Sequence, residues 1–547
     1  MKDKAVVRSH DALAEDELNK IKKSFKLASL VNEVDLKLSP GFVVEIGDKI
    51  YDYTLNADPQ KISEKSVGTV SSVKDGIARV EGLSGVMAGE LVQFSSGATG
   101  LALNLEEKSV GVILVDGQES VLPNEQVSTT GQILSIPVSN DLLGRIVSPL
   151  GMPVDDGLPL ESETLFPLER IAPGVTERKS VTRPLLTGVT AIDSMIPIGR
   201  GQRELIIGDR QTGKSSIALT TIINQTDVIS IYVAIGQKRS SIARTASIFA
   251  ESGALARTII VAASASDSAA FQYLAPYAGC AIAEYFLNQG KDVLIVYDDL
   301  TKHAWAYRQI SLLLGRPSGR EAYPGDIFYA HSRLLERAVQ LDDKHGGGSI
   351  TALPIIETLE GDVSSYIPTN VISITDGQIY LLSELFNSGQ RPAIDVGNSV
   401  SRVGSSAQLK AMKQVAGRLR IDLAQYQELE AFAQFASDLD EKTRTQLSRG
   451  KRLYELLKQG WDEPLTFPEQ VVLLWSGING VIDSIDETDV IKYKEMLIEQ
   501  LRFSGSSLIK KIETKQALDE DLEKLIAEFT NNIAMLFVKE QEEKNGR

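Results

Sequence analysis

Eight consecutive residues decide how this chain is to be interpreted: Gly208-Asp209-Arg210-Gln211-Thr212-Gly213-Lys214-Ser215. They match GxxxxGK[ST], the pattern of a phosphate-binding loop. The segment before them, Arg203 to Ile207, has the pattern of a buried strand, and Ser215 to Gln225 favours a helix because it lacks Gly and Pro. Glycines let backbone amides approach phosphate oxygens, and the helix N-terminus and Lys214 add positive charge. We therefore predict that these eight residues and Ser216 bind a polyphosphate.

A carboxylate further along the chain suits a magnesium ion. Asp298 follows the apolar segment Val293–Tyr297, which is typical of a buried strand. In proteins with such a loop, a strand-terminal Asp and the Ser or Thr hydroxyl of the loop together hold Mg²⁺. Many strands end in Asp only to form a turn, so this interpretation depends on the loop. We predict Ser215 and Asp298 as the magnesium residues and Asp299 as structural.

Hydrophobic periodicity divides the chain outward from the loop. Residues 136–410 alternate strand-like and helical segments, which indicates a largely parallel sheet covered by helices. Residues 66–135 change to a period of two, with Asp75-Gly76 as a hairpin turn, and predict a small barrel. The alternating leucines of this region are Leu101, Leu103 and Leu105. Residues 411–547 are predicted to be helical, with a core stripe formed by Leu518, Leu522, Leu525, Phe529, Ile533 and Leu536.

The first 65 residues are the least informative part. Leu13, Leu18, Ile21 and Phe25 lie near helical spacing, with Asp11 as a cap. Two interpretations stay open, an exposed helix that docks a partner and a solvated helix packed on the body of the protein. No apolar targeting core follows the first residues, so we expect the chain to be mature as given.

Composition excludes several classes of protein. A length of 547 residues suggests three or four domains. With 57 Lys and Arg against 73 Asp and Glu, the net charge of −16 disfavours nucleic acid or anionic lipid as the main ligand. Cys280 is the single cysteine, which excludes an intrachain disulfide. The longest apolar runs, such as Val471–Trp475, fall far short of the roughly 20 residues of a membrane-spanning helix, so we expect none.

Five segments resemble the alpha subunits of F-type ATP synthases: GQRELIIGDRQTGKS (201–215), IYVAIGQKRS (231–240), EAYPGDIFYAHSRLLERA (321–338), SITDGQIYLLSELF (373–386) and RPAIDVGNSVSRVGSSAQ (391–408). The resemblance runs from about Ser66 to the C-terminus, and residues 1–65 depart from it. It implies a multidomain α/β fold with an N-terminal six-stranded β-barrel, a central RecA-like P-loop NTPase domain and a C-terminal α-helical domain. It also implies Mg²⁺ and ATP or ADP as the bound groups.

The same resemblance assigns roles to three residues. Gln237 corresponds to the catalytic glutamate of beta subunits, and a neutral amide can orient water but cannot accept its proton, so the bound nucleotide would turn over slowly or not at all. Arg402 resembles the family's arginine finger, which stabilises the transferring phosphoryl group in the adjacent beta subunit. Ser399 resembles a position needed for cooperative catalysis.

For the adenine base, the residues that match family positions are Phe386, Arg391, Pro392 and Gln459. An aromatic face beside polar groups suits a purine. Trp461 departs from the family, which usually has a second Gln there. Two interpretations stay open, an altered set of hydrogen bonds to adenine and stacking in place of a hydrogen bond, so base selectivity is not assigned.

The resulting hypothesis is a regulatory, largely noncatalytic alpha subunit in an alternating alpha3beta3 ring, with a central stalk gamma and a peripheral stalk of delta and b. The ring would lie at the cytoplasmic face of a bacterial membrane, held there by the complex, or less favourably at an organellar membrane. The alternatives are a self-sufficient RecA-like hexameric motor of the secretion, flagellar export or Rho type, and a nucleotide-gated scaffold. The motors need a catalytic glutamate, so Gln237 counts against them, and we expect no nucleic acid partner. The sequence leaves H⁺ and Na⁺ as alternative coupling ions.

Overall fold

The computed structural model describes residues 4–9, 13, 15–24, 29–34, 41–46, 49–54, 65–160, 162, 164–433 and 440–545. Over this part of the chain it confirms the predicted succession of a β-barrel, an α/β domain built on a parallel sheet and a helical domain. The boundaries drawn from the sequence at residues 65, 135 and 410 stay predictions.

A small α/β unit precedes the barrel. Its elements are β1 (Lys4–Ser9), α1 (Glu15–Ser24), β2 (Ser29–Val34), β3 (Gly41–Ile46) and β4 (Lys49–Thr54). The strands have the order β4-β3-β1-β2, and β4 pairs with the first barrel strand. Ile21 of α1 is buried against Val7 and Val44, which favours the packed-helix interpretation over an exposed docking helix. Asp11 and Phe25 lie outside the described residues.

Six antiparallel strands close the barrel: β5 (Lys65–Lys74), β6 (Ile77–Glu81), β7 (Glu90–Phe94), β8 (Thr99–Leu105), β9 (Ser109–Asp116) and β10 (Gln126–Ile133). Their order is β5-β6-β9-β8-β7-β10, and β10 pairs back onto β5. The predicted turn is confirmed, because Asp75 and Gly76 join β5 to β6 with φ angles of 50° and 78°. Two positive φ angles in a two-residue loop match the twist of the flanking strands.

The alternating leucines lie on a strand as predicted, β8, but they do not fill the barrel core. Ala102 faces the barrel interior, whereas Leu101 packs outward in the core of the α/β domain, and Leu105 is 46% exposed. The pairing of β8 with β9 shifts between Ala102 and Asn104, so a strict period of two is interrupted there. The outward leucine face helps join the barrel to the next domain.

The central domain begins with short elements and continues with longer ones: β11 (Ser135–Pro137), β12 (Ile146–Val147), β13 (Leu165–Pro167), β14 (Pro184–Leu185), α2 (Thr190–Met195), β15 (Ile198–Gly199), β16 (Leu205–Gly208), α3 (Lys214–Asn224), β17 (Ile229–Gln237), α4 (Arg239–Glu251), β18 (Thr258–Ser264), α5 (Ala269–Leu287), β19 (Asp292–Asp298), α6 (Leu300–Leu313), α7 (Ile327–Leu335), β20 (Val339–Gln340), β21 (Ser349–Glu357), α8 (Tyr366–Ile374), β22 (Gly377–Leu381), α9 (Ser383–Asn387) and β23 (Val400–Ser401). Seven strands run parallel in the order β12-β18-β17-β19-β21-β16-β22, and β23 and β20 pair antiparallel with β22 and β21.

Helices bury both faces of this sheet. Residues Val293 to Val296 of β19 have no exposed surface, which explains their unbroken apolar run. Gly279 lets α5 approach the sheet closely, because a Cβ atom there would lie 2.5 Å from Cγ2 of Val233. The carboxyl ends of the parallel strands therefore rest on a rigid support, and ligands of such sheets bind at that edge.

Within residues 410–433 and 440–545 the structure has seven α-helices: α10 (Lys410–Ala416), α11 (Leu419–Ala433), α12 (Glu441–Leu456), α13 (Phe467–Ile478), α14 (Val490–Ser504), α15 (Ser506–Lys515) and α16 (Glu520–Asn545). The predicted stripe is partly wrong, since Leu525 and Leu536 are 37% and 52% exposed while Ile526 and Phe537 are buried. At these two points the residue that is buried in α16 is the one after the predicted leucine. Among the described residues, no helix combines the length and apolarity of a membrane span.

Candidate functional site

The predicted loop lies between a strand and a helix, as its pattern requires. It leaves β16 at Gly208 and enters α3 at Lys214, with positive φ angles at Gln211 (61°) and Gly213 (97°). Left-handed residues in such a turn create a concave surface of backbone amides that binds anions. Lys214 Nζ donates to the carbonyls of Gly208, at 2.9 Å, and Asp209. Burial lowers the pKa of Lys214 despite the opposing effect of nearby carboxylates, Glu357 first among them, and a bound phosphate would further favour its charged form.

Asp298 and Ser215 lie together, as predicted for a magnesium site. The Asp298 carboxylate accepts hydrogen bonds from Ser215 Oγ at 2.7 Å and from the Tyr232 hydroxyl at 2.6 Å. Burial and the neighbouring Asp299 raise the pKa of Asp298. A divalent cation beside it would favour the ionised form, and hydroxyl and carboxylate oxygens are the ligands that Mg²⁺ prefers.

The side chains of the first loop residues brace the loop itself. Asp209 accepts from Thr358 Oγ1 at 2.6 Å and from the Gly361 amide at 2.9 Å. Thr212 Oγ1 donates to the carbonyl of Asp209 at 2.8 Å. Arg210 is exposed and donates to Glu357 at 2.5 Å. Contacts of Asp209 and Thr212 with a phosphate would therefore come from their backbone amides.

Gln237 ends β17 beside this cluster. Its side-chain Nε2 donates to the Tyr232 hydroxyl at 3.1 Å and to the Asp298 carbonyl at 3.0 Å. The amide lines the same cleft as Lys214 and Ser215, so the structure brings these predicted residues together. Two hydrogen bonds fix the orientation of the amide.

A second pocket, of about 230 Å³, adjoins the loop. The four predicted base-binding residues all line this pocket: Phe386, Arg391, Pro392 and Gln459. Trp461, Ser216 and the first turns of α3 complete the lining. The Arg391 guanidinium lies 4.6 Å from the centroid of the Phe386 ring. This geometry is that of a cation–π contact between two residues that line the pocket.

The amide of Gln459 is bound by the protein at both ends. Its Oε1 accepts from the Thr190 amide at 3.0 Å and from Thr190 Oγ1 at 3.1 Å. Its Nε2 donates to the carbonyls of Gly188, at 2.6 Å, and Glu463, at 2.7 Å. Gln459 thus shapes the pocket wall with no donor left for a ligand.

Arg402 lies beside the amino ends of the parallel strands, opposite the carboxyl ends that carry the phosphate-binding loop. It follows β23, whose Ser401 pairs with Gly377 at the start of β22, and its backbone amide donates to the Asp376 carbonyl at 2.8 Å. The loop leaves the carboxyl end of β16, which runs parallel to β22. The guanidinium of Arg402 is exposed and makes no hydrogen bond or ion pair with any other described residue. Its positive charge is near enough to the buried carboxyl of Glu204 to oppose the rise in pKa that burial causes there.

Ser399 is buried three residues before Arg402. Its hydroxyl accepts from the Tyr380 amide at 2.9 Å, and its carbonyl accepts from Arg420 at 2.8 Å. With no exposed surface, Ser399 is placed to position the segment that leads to Arg402 rather than to contact a ligand.

Sequence reasoning missed Tyr232 and Glu357. Tyr232 is five residues before Gln237, so a regular strand would direct the two side chains to opposite faces. The pairing of β17 with β18 shifts between Ile235 and Gln237, and this irregularity brings the two side chains together. Glu357 ends β21 at the same edge as Asp298, and its position at the end of the segment SITALPIIE was the available signal.

No cluster of three or more His, Cys, Asp and Glu side chains suited to a metal occurs in the described ranges. A metal held by Ser215 and Asp298 would therefore take its other ligands from the phosphates and water, as Mg²⁺ commonly does.

Three family models match the chain: the beta-barrel domain of the ATP synthase alpha/beta family over residues 64–131, the nucleotide-binding domain of that family over 188–401, and the C-terminal domain of the ATP synthase alpha/beta chain over 408–533. Similar proteins include the ATP synthase subunit alpha of Dehalococcoides mccartyi strain 195, which is 57% identical over 465 residues, or 84% of this chain and 92% of the relative. The proteins of that name from strains BAV1 and CBDB1 are 57% identical over 468 residues, or 85% of this chain and 93% of each relative.

Proposed function

The chain belongs to the ATP synthase alpha/beta family, and from this premise we propose that it acts as the nucleotide-binding alpha subunit of a rotary F-type ATP synthase. In that complex a transmembrane ion gradient drives the formation of ATP from ADP and phosphate. The chain binds its own nucleotide without hydrolysing it, and its Arg402 side chain extends into the catalytic site of the adjacent beta subunit.

The observation that carries the noncatalytic part of this proposal is the environment of Gln237. Its amide donates to Tyr232 and to the Asp298 carbonyl, at the position where a hydrolytic site needs a group that accepts a proton from water. An amide has no such basicity. Water held there would be oriented but not deprotonated, so turnover at this site would be slow.

The carboxylates around the cleft do not replace the missing base. Asp298 is hydrogen-bonded to Ser215, Asp299 forms an ion pair with Lys302 at 2.6 Å, and Glu357 forms one with Arg210 at 2.5 Å. Each of these carboxylates is already engaged by a partner within the protein, which supports a binding role for this cleft.

The residues fit Mg²⁺ bound to a nucleotide. The Ser215 hydroxyl would bind the ion, the Asp298 carboxylate would orient its water ligands, and Lys214 would contact the terminal phosphates. When bound, Mg²⁺ neutralises the phosphate charge. Phe386 and Arg391 would contact the base of the nucleotide.

Topology supports the delivery of Arg402 to another chain. Arg402 lies beside the amino end of β22, and the phosphate-binding loop lies beyond its carboxyl end. The five residues of β22 span roughly 15 Å, so the backbone of Arg402 lies about that far from the end of the sheet that carries the phosphate-binding loop. An exposed guanidinium that forms no hydrogen bond or ion pair in the described part of the chain is suited to stabilise transferring phosphate across an interface.

The partners proposed with this function are three beta subunits alternating with three copies of this chain, a central stalk gamma, and a peripheral stalk of delta and b. The complex would hold the chain at the cytoplasmic face of a bacterial membrane. No nucleic acid partner is proposed, because the net charge of −16 disfavours it.

The test is equilibrium binding of Mg-ATP to the purified full chain, measured beside hydrolysis. We expect binding with no steady hydrolysis above the background, and hydrolysis once beta is added. The Lys214→Ala variant is the control that identifies the site, since it should lose the binding. Sustained hydrolysis by the chain alone would instead support a self-sufficient hexameric motor.

A further inference from the structure

Three linked polar side chains lie beneath Arg402, at the amino ends of the parallel strands. Two of them, Gln202 and Glu204, belong to the segment that leads into β16 and have no exposed surface. The Gln202 amide group donates to Glu204 Oε2 at 2.7 Å and to Ser401 Oγ at 3.1 Å, and its oxygen accepts from the Gly199 amide at 2.8 Å. Ser401 ends β23 and directly precedes Arg402. Hydrogen bonds thus connect the buried carboxyl group to the residue beside the guanidinium.

The third side chain, that of Ser401, fixes the turn that carries Arg402. Its hydroxyl donates to the Pro197 carbonyl at 2.7 Å and accepts from the Gly404 amide at 3.1 Å, in addition to the bond from Gln202. A hydroxyl has one donor and two acceptor positions, so all of them are in use. Because these bonds reach residues on both sides of Arg402, they restrict the direction in which its side chain leaves the backbone.

The carboxyl group of Glu204 is closely packed. A Cβ atom on Gly377 would lie 2.6 Å from Glu204 Oε2 and 2.2 Å from the Val400 carbonyl oxygen, so the start of β22 packs directly on the carboxyl group. The backbone amide of Glu204 donates to the Ala352 carbonyl at 2.9 Å, which connects the residue to β21. The acceptor that orients the Gln202 amide is therefore itself fixed in place.

The surroundings of Glu204 favour the neutral acid. Burial and the nearby Asp376 carboxylate raise its pKa well above the ordinary value, against the opposing effects of Gln202 and Arg402. Glu204 Oε1 has no hydrogen-bond partner among the described residues, and a buried carboxylate with a single partner would be costly. A negative charge at this position would attract the Arg402 guanidinium toward its own chain, whereas a neutral acid does not.

We propose that Glu204 is a positioning residue for Arg402: as a buried hydrogen-bond acceptor it holds Gln202, and through Ser401 it sets the direction of the guanidinium. This inference rests on the proposed function, in which Arg402 stabilises the phosphoryl group in the neighbouring subunit. Glu204 contacts no substrate, so its loss should lower the rate of the chemical step and leave substrate binding unchanged. A displacement of about 1 Å at a reacting centre can lower the rate about 100-fold.

The experiment measures kcat and KM for ATP hydrolysis by rings of variant chains and unmodified beta subunits, with assembly checked by native mass determination. Glu204→Ala removes the acceptor and should lower kcat by roughly 10- to 100-fold while KM changes less than about twofold. Glu204→Gln keeps an oxygen acceptor without a carboxyl group and should retain most of the turnover. Ser401→Ala breaks the same connection at its partly exposed end and should lower kcat similarly, so it tests the inference even where Glu204→Ala does not assemble.

Combined variants show whether Glu204 acts through Arg402. In a chain that already carries Arg402→Ala, neither Glu204→Ala nor Ser401→Ala should lower turnover further, because the group that they position is gone. A general folding defect would lower turnover in both backgrounds. Glu469→Ala is the matched control, since it removes another buried carboxylate, which caps α13 and pairs with Arg502 at 2.6 Å. It should lower thermal stability without changing kcat.

Three results would overturn the inference. They are an unchanged kcat in Glu204→Ala or Ser401→Ala, equal losses with and without Arg402, and a loss in Glu204→Gln as large as that in Glu204→Ala. Normal turnover of the Arg402→Ala ring would instead contradict the proposed function, whichever result the Glu204 variants give.

Discussion

The two ends of the parallel strands of the central sheet, here called the carboxyl edge and the amino edge, are built in opposite ways. At the carboxyl edge, Lys214, Ser215, Asp298 and Gln237 are mutually hydrogen-bonded or held by the backbone, and the chain supplies the whole cleft. At the amino edge, Arg402 extends an exposed guanidinium without a counter-charge bonded to it in the described part of the chain. A cleft complete in one chain suits retention of a ligand, and an exposed cation that forms no ion pair within the described residues suits a ligand bound by a partner. The difference indicates that binding and catalysis are assigned to different edges.

The largest effect should follow removal of the cation at the amino edge. In the assembled ring, Arg402→Ala should lower steady-state ATP turnover by about 10³-fold or more, since an arginine finger contributes that much in phosphoryl transfer. Nucleotide binding to the chain itself should not change. Turnover measured beside native mass determination of the ring separates a loss of catalysis from a loss of assembly, and near-normal turnover would refute the assignment. Arg402→Lys keeps the positive charge but should restore little of the turnover, because lysine lacks the planar guanidinium that can donate two parallel hydrogen bonds to a phosphate.

At the carboxyl edge, Lys214→Ala should weaken binding of Mg-ATP to the isolated chain by roughly a hundredfold, as expected for a charge-assisted contact to phosphate. Equilibrium dialysis with labelled ATP measures it. Arg402→Ala serves as the matched control with unchanged affinity. If the two variants lost affinity equally, the two edges would not be separate in function.

A smaller effect should follow from supplying the missing base. Gln237→Glu places a carboxylate beside the predicted magnesium position and should raise hydrolysis by the isolated chain by about tenfold. Gln237→Leu, which adds no base, should give no increase. An unchanged rate in the glutamate variant would mean that the identity of this residue does not limit turnover.

The smallest effect concerns stability. Burial and Asp299 raise the pKa of Asp298 in the folded chain, so its ionisation opposes folding as the pH rises from its ordinary value of 3.8 through the raised one. Asp298→Asn removes that cost and should stabilise the ligand-free chain at neutral pH by about 1 kcal/mol while weakening magnesium-dependent binding. Thermal unfolding at several pH values measures it. At the amino edge, Arg402→Ala should shift stability by less than about 0.5 kcal/mol.

The sequence was most informative where one motif combines backbone and side-chain requirements. The loop at residues 208–215, the strand before Asp298 and the hairpin at Asp75-Gly76 were predictable because glycine positions and apolar runs report local geometry. The pairing of Tyr232 with Gln237 was not, because it depends on a register shift that no local pattern encodes. The outward face of Leu101 likewise depends on which domain packs against the barrel.

The roles of Gln237 and Arg402 came from the family resemblance rather than from periodicity. The structure adds partners and positions that the resemblance lacked: the hydrogen bonds that hold the Gln237 amide, the complete saturation of Gln459, and the separation of Arg402 from the loop by the length of β22. These depend on tertiary packing between segments far apart in the chain.

The most direct test of this division uses rings assembled from unmodified beta subunits and either of two variants of this chain. The initial rate of ATP hydrolysis is measured with Lys214→Ala, which disables the cleft of the chain, and with Arg402→Ala, which disables the cation offered to the neighbour. We expect the Lys214→Ala ring to retain a substantial part of its initial rate and the Arg402→Ala ring to lose about 10³-fold or more. The reverse order would show that the chain hydrolyses ATP in its own cleft.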